Sequence, residues 1–394
     1  MLSSEKTKNT GAIGGCQEQR QWHSCRRRCL TSGALLPLED AEQIGKSIRR
    51  DHTMLQLDTG LGTHFTGLGD VPHTARAAEE SGFGALWVPE TKHDPFLPVA
   101  LAAEHTQRIH LGTAVAIAFP RSPMVLAHIG WDLAQFSGGR FMLGLGTQVK
   151  GHNERRFSVP WVPPGPRLRD MVLAIRAIWD CWQHGTRLDF RSRHYTHTLM
   201  TPFFNPGPIE HPDIPIFLGG VNPYMCRIAG EVADGLLMHS LNSVTYIRTV
   251  VLPAVLEGLQ KSGRPRSAFT LRGTVFPVLG DTEEELDLAR AAVRQRIAFY
   301  ASTRTYKTVL EVHGWGDLTD RLHAMAGRGA WEAMGREITD DMLDAFCISS
   351  TPAMLGQKLR ERFDGLVDRL FLNLTYEPAA KKIDWPRLIQ ELAA

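Results

Sequence analysis

The chain has 394 residues, a formal net charge of +2 and 43% hydrophobic residues. So small a charge argues against nucleic acid as a partner, and no apolar run reaches the roughly 18 to 20 residues that span a bilayer. Length and apolar content suit a globular protein with a full core, in one large domain or two to three small ones. Six cysteines are scattered without paired spacing over the globular part, which points to a reducing cytoplasm rather than a disulfide framework.

Residues 1–53 stand apart from the rest. Cys16, His23, Cys25 and Cys29 fit no common zinc spacing, so no metal is expected. No apolar signal core follows Arg26-Arg27-Arg28. The stretch reads as a disordered extension, or as sequence ahead of a start at Met54. Residues 54–394 then form a single domain.

From Met54 strands and helices alternate. Met54–Asp58 is strand-like, Val71 to Ser81 a helix, Ala85–Pro89 a second strand and Phe96–Thr106 a helix. Arg108–Ile117 is a third strand, Pro123–Phe136 a helix, Phe141–Leu145 a fourth strand. A polar loop, Gly146–Pro166, precedes a helix over Leu168–Trp182 and an irregular insertion, Gln183–His211. The segment Ile214 to Leu241 compresses strand, glycine turn, helix and strand into one unit. Asn222 is placed to cap its helix, and Pro223 suits the first turn. Val244–Gly263 is a helix, Phe269–Leu279 a strand, Thr282–Ala301 a helix, and Ser302–Ala345 a second insertion. Pro352–Phe363, Val367–Leu374 and Asp384–Ala393 close the chain as helix, eighth strand and helix.

Eight strands alternating with helices fit a (β/α)₈ barrel or a doubly wound sheet. A dinucleotide-binding sheet normally carries G-x-G-x-x-G after its first strand. Asp58-Thr59-Gly60-Leu61-Gly62 is the nearest match, and no helix follows it directly, so the TIM barrel is favoured. Chemistry in such barrels sits at the C-terminal ends of strands. That selects Asp58, Glu90 to Asp94, Ala114 to Ala118, Gly146 to His152, Gly219 to Asn222, and His239. A glycine turn aimed at a helix N-terminus, as at Gly219-Gly220, is either an anion site or merely a tight turn.

Four segments at these strand ends, SGFGALWVPETKHDPF, IHLGTAVAIAFPRSP, SGGRFMLGLGTQVKGHNERRF and IPIFLGGVNPYMCRIAGEVADG, carry a resemblance. From Met54 on, the chain resembles the bacterial-luciferase-like superfamily, in particular its coenzyme F420-dependent oxidoreductases. The resemblance implies a TIM barrel with insertions and a deazaflavin or flavin across its C-terminal mouth. It implies a non-proline cis peptide at Ala114–Val115, forming a bulge behind the ring. Thr147 and Gln148 would lie along the ring edge and polyol chain, and Gly219, Gly220, Val221 and Asn222 would form the phosphate turn. Thr91 joins them at the end of the second strand. Lys150, with His152, Arg155 and Arg156, would meet the coenzyme's anions, and Pro160 to Pro166 could close over the site. Glu90 is the first candidate for proton handling and His239 the second; a structural ion pair is the competing role for Glu90.

The activity expected is hydride transfer between F420 and a small organic substrate. An FMN-dependent monooxygenase is the alternative, and a barrel that binds cofactor without turnover is a third reading. The aromatic residues of the insertions, Tyr195, His197, Phe203, Phe204, Trp315 and Trp331, would line a substrate pocket or a subunit interface. Relatives are often dimers, so a homodimer is expected, with neither membrane nor nucleic acid as partner.

Overall fold

The computed structural model describes residues 54–62, 65, 67–376, 378 and 381–393. The expectations for residues 1–53, the Cys/His cluster included, lie outside the described residues. Eight parallel strands carry the fold: β1 (Gln56–Gly60), β2 (Ala85–Val88), β3 (His110–Thr113), β4 (Phe141–Gly146), β5 (Ile216–Gly220), β6 (Gly235–Met238), β7 (Thr270–Leu279) and β8 (Arg369–Leu372). Each pairs with its neighbour in chain order. Strand β8 then pairs with β1 through Gln56↔Arg369 and Leu57↔Leu370, closing the barrel. The expected TIM barrel is what the chain forms.

Helices α1 (Val71–Ser81), α2 (Phe96–His105), α3 (Pro123–Phe136), α4 (Pro164–His184), α5 (Pro223–Val232), α6 (Leu252–Ser262), α7 (Glu283–Ala301), α8 (Leu355–Phe363) and α9 (Trp385–Ala393) accompany the strands. Among the described residues, no helix is long and apolar enough to cross a membrane. Strand alternation divides the core in two. Leu86 and Val88, Leu143 and Leu145, Ile216 and Leu218 belong to the large outer core. The alternate residues Ala85, Trp87, Met142, Phe217 and Leu237 fill the barrel. Extending that alternation points Asp58, Arg272 and Arg369 inward as well, and all three are buried.

Four local features differ from the sequence expectation. The third strand is split into β3 and the short strand Ala116–Ile117, which pairs with the end of β4. The loop Gly146–Pro166 contains a helix, Lys150–Arg155, and α4 begins at Pro164 rather than Leu168, because proline loses nothing at a first helical turn. A π-turn, Ile247–Val251, precedes α6. Pro253 follows it and has no N–H for the usual i→i−4 bond. The second insertion is largely helical and leads into a strand, Cys347–Ser350, that pairs with Phe276–Leu279 at the end of β7.

Candidate active site

The strand ends β3, β4 and β5 meet around Val115. The Ala114–Val115 peptide is cis, at the position expected. Both residues are half-buried and pack on the barrel's interior cluster, so they roof it. Glycines make this possible. A Cβ on Gly146 would lie 2.3 Å from Val115 Cγ2, and one on Gly219 would lie 3.2 Å from Val115 Cγ1. One on Gly144 would lie 1.7 Å from the Thr113 carbonyl oxygen. The Thr113 hydroxyl ties these strands further. It donates to the Gly144 carbonyl at 2.7 Å and accepts from the Gly144 N–H at 3.0 Å. The result is a side-chain-poor surface around one valine, the shape a flat ring can lie on.

Beyond Gly220, Asn222 caps α5, its Oδ1 accepting from the Met225 N–H at 2.9 Å. The Tyr246 hydroxyl donates to the Val221 carbonyl at 2.8 Å and lies 3.1 Å from the Thr308 hydroxyl. Because a peptide unit is planar, fixing that carbonyl turns the N–H of Asn222 the opposite way. Burial and nearby negative groups push the Tyr246 phenol up to about 12, so it stays a donor at any ordinary pH. Tyr246 and Thr308 were not among the expected site residues, and Thr308 comes from the second insertion.

The loop after β4 is ordered by Asn153, which is fully buried. Its amide donates to the carbonyls of Thr147 and Val149 at 2.9 and 3.2 Å. Gln148 takes a left-handed φ of 54°, uncommon for a residue with a side chain. Its Oε1 accepts from the Val149 N–H. Arg156 reaches across to the Thr91 carbonyl at 2.6 Å, so it links two rim loops. Lys150 is exposed and lies 4.0 Å from Glu154. The expected basic crowd is thus spread out, with Arg156 committed and Lys150 facing solvent.

Glu90 is also committed. Its carboxylate accepts from both terminal nitrogens of Arg121, at 2.7 and 3.1 Å, and from the Ile117 N–H at 2.6 Å. Arg121 holds Asp94 as well, at 2.9 Å, and Asp94 Oδ1 accepts from the Phe96 N–H at the start of α2. Bidentate pairs of this kind fix geometry. Glu90 braces the bulge strand against the end of β2, so its structural role is the one the geometry favours over proton handling.

His239 follows β6, the strand paired with β5. Its ring stacks on Tyr306 at 4.4 Å and meets Tyr300 edge-on at 4.5 Å. The Leu241 N–H donates to Nδ1 at 3.0 Å, so the neutral ring carries its proton on Nε2. Burial pushes its pKa down to about 4, which keeps the ring neutral at pH 7. Nearby polar groups, which sequence reading missed, brace this strand end. Asn373 donates to the Ser240 hydroxyl at 2.7 Å, and Asn242 donates to the Thr274 carbonyl at 3.0 Å. Of the insertion aromatics, Phe203 and Phe204 are exposed and pack on each other. Trp315 stacks on His313, and Trp331 lies against Phe299. These contacts form separate groups and do not define one pocket.

The comparisons with known proteins fall on this same span. The family described as luciferase-like monooxygenase has a model that matches residues 52–369. An uncharacterised protein of Mycobacterium tuberculosis is 47% identical over 316 residues, covering 80% of this chain and 92% of that protein. A 5,10-methylenetetrahydromethanopterin reductase of Archaeoglobus fulgidus is 27% identical, covering 79% of this chain and 92% of the relative. Among solved structures, the coenzyme F420-dependent tetrahydromethanopterin reductase of Methanopyrus kandleri superposes with a TM-score of 0.69 at 21% identity, covering 86% of this chain and 97% of that one.

Proposed function

Because the chain belongs to the luciferase-like monooxygenase family, we propose that it is an F420-dependent oxidoreductase that moves a hydride between the deazaflavin and a small organic molecule. The observation that carries the reading is the mouth itself: a glycine-lined surface around the cis Ala114–Val115 peptide, at the ends of β3, β4 and β5. The reductase relative from Archaeoglobus fulgidus supports a reduction rather than an oxygenation. The cysteines Cys181, Cys226 and Cys347 are free and buried, in keeping with a cytoplasmic setting.

The residues present fit such a group. A Cβ at Gly146 or Gly219 would stand against Val115, so glycine at these positions leaves the ring face open. When bound, the deazaflavin supplies the hydride chemistry. In this reading Ala114 and Val115 would support the ring, and Gly219, Gly220, Val221 and Asn222 would receive the phosphate through backbone N–H groups. Thr147 and Gln148 flank the polyol chain, and Thr91 and Lys150 sit at the rim. His239 holds its proton at Nε2 and would offer it as a hydrogen-bond donor to the ring edge or to a substrate oxygen. An imidazole with so low a pKa orients and polarises; it does not deliver a proton at pH 7. Glu90 acts through Arg121 as a positioning residue.

Titration of the purified protein with F420 and, separately, FMN, followed by fluorescence quenching, tests the proposal. Tight F420 binding with weak FMN binding is expected. The reverse preference would move the reading to a flavin monooxygenase with oxygen as co-substrate. Binding of neither would remove cofactor binding from this mouth.

A further inference from the structure

The barrel interior holds three charged side chains that the proposed chemistry leaves unused. Asp58 is buried on β1. Arg369 grips its carboxylate with Nε at 3.0 and 3.1 Å and a terminal nitrogen at 2.6 Å. The Trp87 indole N–H donates to the same carboxylate at 2.8 Å. Arg272 Nε stands 3.5 Å from it, too far for a good hydrogen bond. The Arg272 guanidinium instead lies between two rings, 5.2 Å from the Trp87 centroid and 4.6 Å from that of Phe371. Two buried cations therefore share one carboxylate. His110, at the foot of β3, is held below its ordinary value by burial and then by Arg369, so it adds no charge at pH 7. The interior keeps one net positive charge.

That charge lies beneath the mouth. Phe371 is half-buried, and its ring packs where a Cβ on Gly60, the last residue of β1, would sit at 3.1 Å. Arg272 is one ring further in. An uncompensated buried charge is costly, and a fold that merely needed filling would use an apolar side chain here. Accepting a hydride adds one negative charge to a neutral ring. The donor's C–H bond breaks, its electron pair and proton form the new bond on the ring, and the donor is left oxidised. Resting on the reading above, we propose that Arg272, freed from full pairing by the Arg369–Asp58 bond, is a fixed charge that favours the reduced, more anionic state of the cofactor at the mouth.

The sign of the effect tests this. The midpoint potential of bound F420 would be measured by spectral titration against a reference dye, in the full chain and in Arg272→Gln, Arg272→Lys and Asp58→Asn. At fixed solution potential, Arg272→Gln is expected to shift bound cofactor about tenfold toward the oxidised form, about 30 mV for a two-electron couple. Asp58→Asn removes the counter-charge and shifts it the other way. Arg272→Lys keeps the charge while losing the planar stack, and stays within about threefold of wild type. Should Arg272→Gln fail to fold, the shift in Asp58→Asn still decides, with Arg272→Lys as the charge-retaining control. Wild-type potential in Asp58→Asn, or all variants moving in one direction, would overturn the proposal. A wild-type protein that binds F420, with variants that lack these shifts, sinks this inference alone. One that binds neither F420 nor FMN sinks the reading beneath it as well. If FMN is the ligand bound, the same series is run with FMN.

Discussion

The two walls of the barrel mouth are built by opposite means. The β3–β5 wall is nearly bare of side chains: Gly144, Gly146 and Gly219 let backbones and Val115 approach. The β6–β8 wall is crowded with hydrogen-bonding side chains, His239, Asn242, Thr274 and Asn373, each tied to a neighbour. The first wall shapes a surface by leaving atoms out. The second fixes donors in place by surrounding them. A flat ring between them would meet shape on one side and directed polarity on the other.

Breaking the bare wall has the largest expected effect. Gly144→Ala would put a Cβ 1.7 Å from the Thr113 carbonyl, so β3 and β4 must separate. Urea unfolding should register a loss of about 3 kcal/mol or more, and an unchanged midpoint would mean the strands yield freely.

The crowded wall should show itself through pH. His239 has a folded pKa of about 4, below the ordinary value near 6.5. The unfolded chain therefore binds the proton first as pH falls. The stability from neutral burial is complete above about pH 6.5 and is lost on the way down to about 4, amounting at most to roughly 3 kcal/mol. His239→Asn keeps an acceptor for the Leu241 N–H and should flatten that slope. Equal slopes in the two proteins would show that His239 does not titrate in this way.

Two milder substitutions sharpen the contrast. Gly219→Val narrows the surface beside Val115 while leaving the fold intact. Cofactor affinity should fall at least about tenfold, roughly 1.4 kcal/mol, with a melting temperature near wild type; undiminished binding would take the turn out of the site. Tyr246→Phe loses the bond to Val221 and should cost about 1 kcal/mol of stability. It should also weaken F420 more than the deazaflavin ring and polyol chain alone, which lack the phosphate. Equal losses for the two ligands would confine Tyr246 to the fold.

The bare wall was legible in the sequence because glycines clustered next to strand ends announce themselves locally. Gly146 and Gly219-Gly220 were found in this way, and the Ala114–Val115 cis peptide through the family resemblance. Of the crowded wall only His239 was found, because its other parts meet only in three dimensions: Asn373 and Ser240 are 133 residues apart. Glu90 showed the same blindness in reverse. A carboxylate at a strand end looks available until Arg121, 31 residues on, is seen to occupy it. The barrel itself was readable from strand and helix alternation. The helix Lys150–Arg155 was not, since its polar surface carries no apolar stripe. Arg272 did leave a trace, as a lone charge inside an otherwise uncharged strand.

The ion pair between Asp58 and Arg369 joins the first barrel strand to the last, across 311 residues. Bringing such distant segments together carries a large loop-closure cost that nearer contacts do not share. On loop-closure cost alone, the seam is expected to form late. Until it does, β1 and β8 are open edges, the places where a half-made barrel is most prone to pair with another chain. At this seam a buried carboxylate waits on an arginine from the far end of the chain. A slip in β1–β8 register would leave both charges unpaired in the interior, so the bond that closes the barrel also rejects the wrong closure.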